Sequence, residues 1–368
     1  MMGIYVPYFP NWLRARGLTG LEWSLVSAVL PFSSMLAPPL FGMIADAFGL
    51  RGSLLRWAAF GAALSFAAIT VFILLDGNLS FPLLLTLVCS FALFRTPMHL
   101  IADVLALETT VAYGRIRLWG SMGFLLAAPM VGWWLPLETP VMLPLAITLA
   151  VVAAWGVSHG LPKNGTIPER AVWALVRDAL RSSECRRLLA AAVFGQAAHA
   201  AYNLCISIYL ADRGASAGFI GLWWSLGTAS EVVLMAISPW LLSRFRAELL
   251  LLIALVVGAA RWMLLASYVD LWWLFASQPL HAVTFGLRWV SCVRIVQRMS
   301  DQGNIATLQG LYVGANAVGG GLGMLVWGSS YEVYGGQRVY SWAAVVSLLA
   351  AAIVLPWLGK SRDSARLQ

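Results

Sequence analysis

Charged side chains are scarce in this sequence, making up 11% of its 368 residues, whereas a water-soluble globule carries about a quarter. That deficit excludes a soluble globular fold, and the high apolar content excludes a disordered chain. Cysteine is sparse too. Cys89, Cys185, Cys205 and Cys292 are scattered, with no CxxC or Cys/His spacing, so no disulfide framework, zinc site or redox chemistry is expected. Enzyme motifs are also missing: there is no GxSxG nucleophile elbow, no HExxH metal helix and no GxxxxGK[ST] phosphate loop. The reading is therefore not an enzyme, with no cofactor and no metal.

What is abundant is apolar. Hydrophobic residues reach 60%, mean hydropathy is +0.80, and there are 33 glycines, 16 prolines and 18 tryptophans. Glycine and proline are tolerated inside transmembrane helices, and tryptophan gathers at bilayer interfaces. Stretches of about 20 apolar residues cross roughly 30 Å of hydrocarbon, and without period-2 alternation they do so as helices rather than barrel strands. An all-α membrane protein is expected, with spans near residues 22–45, 53–75, 80–105, 117–135, 140–160, 188–210, 217–242, 248–268, 270–293, 304–329 and 338–358. Ahead of them, MMGIYVPYFPNWL has membrane character but would reach only roughly 20 Å as a helix. It reads as the second half of a truncated first span, because either the chain starts at an internal Met or the helix is short. A signal peptide would need a basic start and a small-residue cleavage site. With this stub the spans number twelve.

The formal charge of +8 is best explained by topology rather than by a nucleic-acid partner. With loops assigned alternately to two sides, one side holds seventeen of the 24 Lys and Arg residues, including the loop from Lys163 to Arg187 and the tail. The other holds Arg14, Arg16, Arg213 and Arg338. The positive-inside bias places the central loop and the C-terminus in the cytoplasm. The long polar segment 161–187 then separates a six-helix bundle at 1–160 from another at 188–360, followed by a tail at 361–368. The halves echo each other: RARGLTGLEWSL (14–25) and ADRGASAGFIGLWWSL (211–226) both place Arg-Gly, then Trp-Ser-Leu, at the turn between a half's first two spans. Parallel repeats of this kind place a substrate site at their interface near the bilayer midplane.

GMIADAFGLRG (42–52), after the second span, resembles the GxxxD…G[RK] cytoplasmic signature of the major facilitator superfamily, with Asp46 and Arg51 as a conformational latch. YGRIRLWGSMGF (113–124), AHAAYNLCISIY (198–209) and WWSLGTASEV (223–232) resemble the phenylpropionate-permease branch, and more distantly lactose permease and nucleoside–proton symporters. The resemblance implies the major facilitator fold of two six-helix bundles. It also implies a monomeric carrier in the bacterial inner membrane that couples solute movement to protons by alternating access.

Ionisable residues within spans are costly and are functional candidates by default. Arg95, His99 and Asp103 recur every four residues on the fourth span and share a face. Arg95 near the midplane is suited to bind a carboxylate, with Arg261 or Arg117 as alternatives, or else it pairs structurally with Asp103 or Glu231. The resemblance adds Asp103 and Arg117 as an acid and base straddling the substrate, against a salt bridge at the inner boundary. Glu231 is read as a proton carrier or as an ion-pair partner of Arg261. Lactose permease likewise carries a functional Glu on helix eight, an Arg on helix nine and a His on helix ten, matched by Glu231, Arg261 and His281. Its Lys and its further carboxylate on helix ten are replaced by Gln278 and Thr284, so proton loading shifts to Glu231, a histidine or Asp103. His199, Tyr202 and Asn203 are expected on one cavity face, or His199 as a satisfied core residue. Tyr8 and Trp223 are candidates to stack on a ring-bearing solute, while other tryptophans near span ends read as interface anchors. The glycine run 310–323 reads as close helix packing.

The function expected is proton-coupled symport of a small organic solute, an aromatic or other carboxylate, through the lipid bilayer. The alternatives are symport of a neutral sugar or nucleoside, or a non-transporting membrane sensor, which would be favoured by a soluble appendage that the sequence lacks.

Overall fold

In the computed structural model of the chain, the described residues are 1–48, 51–77, 79–107, 113–160, 177, 179–267, 270–300 and 305–358. They form helices throughout. The first six are α1 Met2–Ala15, α2 Gly20–Phe48, α3 Arg51–Asp76, α4 Phe81–Leu107, α5 Tyr113–Trp134 and α6 Met142–Ser158. Then come α7 Ser183–Asp212, α8 Ala217–Arg244 and α9 Ala247–Ala266. The next helical stretch is assembled from α10 Leu271–Ala276, a π-helical turn Ala282–Leu287 and α11 Arg288–Met299. Finally α12, Ile305–Val354, is broken at Gly335, whose φ of 75° and ψ of 165° turn one run into two helices. Six helices among the described residues are long and apolar enough to cross a membrane.

Local chemistry sets several of these boundaries. Thr19 and Glu22 form a reciprocal capping box at the start of α2: the Thr19 amide donates to Glu22 Oε2 at 2.9 Å, and the Glu22 amide donates to Thr19 Oγ1 at 3.4 Å. Gly17 (φ 78°) and Gly214 (φ 83°) hold the left-handed conformation that ends α1 and α7. The Arg-Gly echo between the halves therefore has a physical cause, since each half needs a residue without Cβ at the same turn.

By their contacts the helices form two compact units. The first holds residues 1–169 with 207–225, and the second 170–206 with 226–368. The core of the first unit is aromatic. Tyr5, Phe9, Phe66 and Phe91 are all at most 5% exposed; Tyr5 stacks on Phe9 at 4.4 Å between centroids, and Phe66 meets Phe91 edge-on at 4.5 Å. Within this unit Arg14 pairs with Asp212 at 2.6 Å. The Tyr8 hydroxyl donates to the Ala128 carbonyl at 2.5 Å, with the Ala217 carbonyl at 3.2 Å.

The second unit packs through small residues. A Cβ at Gly319 would lie 2.2 Å from the Val193 carbonyl oxygen, and one at Gly323 2.8 Å from that of Ala197. The glycine run thus brings α12 against the backbone of α7, and Trp327 Nε1 donates to the Ala197 carbonyl at 2.7 Å beside it. At one end of this unit Arg298 bonds both Glu248 (2.5 Å) and Glu184 (3.0 Å). Burial alone would lower the Arg298 pKa, but the two carboxylates outweigh it and raise it.

Candidate functional site

The second unit contains a buried polar cluster built from four helical segments. Its centre is Arg261 on α9, 1% exposed. One of its terminal nitrogens donates to Gln278 Oε1 at 2.5 Å. The other donates to Thr284 Oγ1 at 2.9 Å and lies 3.3 Å from His281 Nδ1. Gln278 in turn donates from its amide nitrogen to the Tyr202 hydroxyl at 2.6 Å. The guanidinium carbon lies 4.6 Å from the Tyr202 ring centroid and 5.2 Å from that of Trp262, within cation–π range. On its far side, His281 Nε2 is 2.7 Å from Glu231 Oε1.

Local structure explains how these groups meet. Gln278 and His281 precede the π-helical turn and Thr284 lies inside it; such turns are frequent at functional sites. Gly227 on α8 lets that segment approach, because a Cβ there would come within 2.8 Å of Gln278 Nε2 and 3.2 Å of His281 Cδ2.

The hydrogen-bond pattern fixes the histidine. Arginine only donates, so His281 Nδ1 accepts from it and the ring proton of neutral His281 sits on Nε2, facing Glu231. A second ring proton would point donor against donor. Within this triad the carboxyl is therefore the group able to gain a proton without breaking a contact. It is also the accessible one, with a side chain 24% exposed against 7% for His281.

His199 stands next to this triad and is 2% exposed. Its ring centroid lies 5.4–5.6 Å from those of Tyr202, Trp262, His281 and Phe285. Neither of its ring nitrogens has a hydrogen-bond partner among the described residues. About one turn of helix further, Arg288 donates to Gln196 Oε1 and, at 3.2 Å, to Asn316 Oδ1. Arg288 is conspicuous in the sequence as a charge within a span, on the same helix face as His281, whereas its partners Gln196 and Asn316 were not among the expected site residues.

Of the residues singled out from sequence, His199, Tyr202, Glu231, Arg261 and His281 come together here. Glu231 meets Arg261 only through His281. Asn203 on α7 is half-buried. Arg95, Tyr8 and Trp223 belong to the first unit. There Arg95 has Tyr5 as an electrostatic neighbour, Trp223 is fully buried, and the Tyr8 hydroxyl is engaged by backbone carbonyls. The side chains of Asp46, Arg51, His99, Asp103 and Arg117 lie outside the described residues. No group of His, Cys, Asp or Glu among the described residues is arranged to hold a metal ion.

Comparison with known proteins decides the family. The model of the MFS_1 like family matches residues 1–342. This chain belongs to the major facilitator superfamily. Among curated relatives, the "Probable 3-phenylpropionic acid transporter" of Escherichia coli (strain K12) is 29% identical, covering 95% of this chain and 92% of its own length. The "Maltose permease" of Geobacillus stearothermophilus is also 29% identical, over 96% of this chain and 90% of its own. A structure of a variant of the nucleoside transporter NupG superposes with a TM-score of 0.84 at 18% identity, covering 96% and 95% of the two chains. That likeness shows the major facilitator fold expected from the sequence. As a member of the superfamily the protein is a multi-pass secondary transporter of a small molecule, not an enzyme.

Proposed function

We propose that this transporter takes up an organic carboxylate, with an aromatic acid as the preferred class, together with a proton by alternating access. One observation carries the proposal: a buried arginine is balanced by a single carboxylate, with a neutral histidine between them. Arg261 is permanently charged, and a buried charge is held by hydrogen bonds, as Arg288 is by Gln196 and Asn316, or by a counter-charge, which in this triad is Glu231. While Glu231 is ionised the triad is neutral. When Glu231 takes a proton, the cation loses its balance, and the carboxylate of a substrate restores it. Proton and anion are thereby bound together. Phe285, partly exposed and stacked on His281, offers aromatic surface to a ring-bearing acid, and behind it His199 holds two unengaged nitrogens. The phenylpropionic acid transporter similar to this chain supports the substrate class. Arg95, Tyr8, Trp223 and Asn203, with Arg117, Asp103 and His99, remain proposed substrate contacts, and Asp46 with Arg51 the proposed latch.

In the same reading, the bundles at 1–160 and 188–360 belong to a monomeric carrier that works by alternating access in the bacterial inner membrane, and the C-terminus is cytoplasmic. The maltose permease likeness favours a second reading, symport of a neutral sugar.

The test is uptake into proteoliposomes under an imposed inward proton gradient. The wild-type protein is expected to accumulate an aromatic acid. Glu231→Gln is expected to lose the stimulation by the gradient while still exchanging substrate at equal pH. Stimulation as steep as in the wild type removes Glu231 from the coupling. A panel of sugars and nucleosides alongside carboxylates separates the two readings, because Arg261 left unbalanced by a protonated Glu231 selects an anion over a neutral solute.

A further inference from the structure

The polar site of the second unit continues past the triad. Gln196 lies one turn of α7 before His199 and two turns before Asn203, so three polar side chains share one face of that helix. On the facing stretch, His281, Phe285 and Arg288 follow one another at intervals of four and three residues and likewise share a face. Phe285 stacks on His281, and its ring centroid lies 5.4 Å from that of His199. The partly exposed ring of Phe285 therefore has a polar group at each end. One is the Glu231–His281 contact, and the other is Arg288 with its two amides.

The Arg288 end presents a fixed donor. Arg288 is 2% exposed and can only donate, so the atoms of Gln196 and Asn316 that face it are their carbonyl oxygens, Oε1 and Oδ1. Turning either amide over would set donor against donor. Both amide nitrogens are thereby directed away from the guanidinium. That of Asn316 donates to the Tyr312 carbonyl at 2.9 Å, within its own helix. That of Gln196 has no acceptor among the described residues, and Gln196 is half-buried where Arg288 is buried. A bound solute that covers this N–H without offering an acceptor leaves it unpaired, which costs free energy.

We propose that Gln196, oriented by Arg288, selects acids whose ring carries an oxygen substituent, donating from Nε2 to a phenolic or methoxyl oxygen. The inference rests on the reading that the acid group is bound at the Arg261–His281–Glu231 triad, and it extends that reading to the opposite end of the cargo. His281 and Arg288 are seven residues apart, roughly 10 Å along a helix, which is the span of an aromatic ring bearing a short acid arm. Phe285 lies between them, where the ring of the cargo stacks. The substituent is uncharged, so the charge balance of the triad is untouched. Gln196 makes the contact, and Arg288 is a positioning residue.

The experiment measures Kd by titration calorimetry of the purified carrier in detergent, for phenylpropionate and for the same acid with a para-hydroxyl or para-methoxyl group on its ring. The wild type is expected to bind both substituted acids about tenfold more tightly than the parent acid, the effect of one donor left unpaired. Gln196→Glu keeps an oxygen on Arg288 but turns an acceptor outward. A hydroxyl can donate to it and keeps its advantage, whereas a methoxyl only accepts and loses it. Gln196→Leu is expected to lose both advantages. Arg288→Met, which frees the amide to turn over, is expected to shrink them, and Arg288→Lys, which still donates to Gln196, to restore them. Equal Kd values for the three acids in the wild type, a methoxyl advantage kept by Gln196→Glu, or advantages unchanged in Arg288→Met would each overturn the proposal. Alcohols carrying the same three rings keep it distinct from the reading on which it rests. Alcohols bound as tightly as the acids remove the triad as the acid site, and tighter binding of their substituted rings still supports the Gln196 contact.

Discussion

Arg261, His281 and Glu231 form a chain in which each contact constrains the next. The guanidinium can only donate, the imidazole must therefore accept on Nδ1, and the carboxyl is left to take up a proton. Thr284 tests this logic without removing a charge. Thr284→Val keeps the shape but deletes an acceptor of Arg261, which should cost about 1–3 kcal/mol. Thermal unfolding in detergent is expected to show the loss; an unchanged midpoint would mean that the guanidinium finds another acceptor at no cost. Arg261→Lys is expected to be worse for transport than for folding, because a single ammonium cannot serve Gln278, Thr284 and His281 in one plane, and the uptake assay separates the two effects. Much of this site was legible in the sequence because charge inside an apolar run is conspicuous: Glu231, Arg261, His199 and His281 all stood out. Gln278 and Thr284 were visible only as departures from the lactose-permease pattern. Their bonds to Arg261 span 17 and 23 residues, and no local pattern encodes such distances. Gln196 and Asn316 were missed because neutral amides are less conspicuous than ions.

At the scale of elements, the helices follow from apolar runs, and their ends from a capping box and left-handed glycines. Run length predicted helices, of which six among the described residues are long and apolar enough to cross a membrane, but it gave no sign that the segment expected at 270–293 is divided by a π-helical turn. Glycine acts differently in the middle of α12. At Gly319 and Gly323 it permits contact with the backbone carbonyls of α7, so side-chain repacking cannot relieve a substitution. Gly319→Val is expected to separate α12 from α7, lower the thermal midpoint by several degrees and weaken uptake. Gly310→Ala, where a Cβ meets nothing within 4 Å, should leave both unchanged. Equal effects of the two substitutions would show that helix propensity, not close approach, governs this element.

At the scale of the whole molecule, membership of the superfamily was readable from motifs covering a small part of the chain, and the family match extends over residues 1–342. What the motifs leave open is the cargo, because the fold is shared by transporters of nucleosides and of organic anions, and the chemistry that discriminates lies in a few side chains. The pairing of Arg261 with Glu231 through His281 carries an electrical consequence. A loaded carrier that has gained one H⁺ and one monovalent anion bears the same charge as the empty carrier, so neither limb of the cycle moves net charge through the field. Clamping the vesicle voltage with potassium and valinomycin is therefore expected to leave the uptake rate unaltered between zero and −100 mV, and a rate that climbs with negative voltage would require a second proton per turnover.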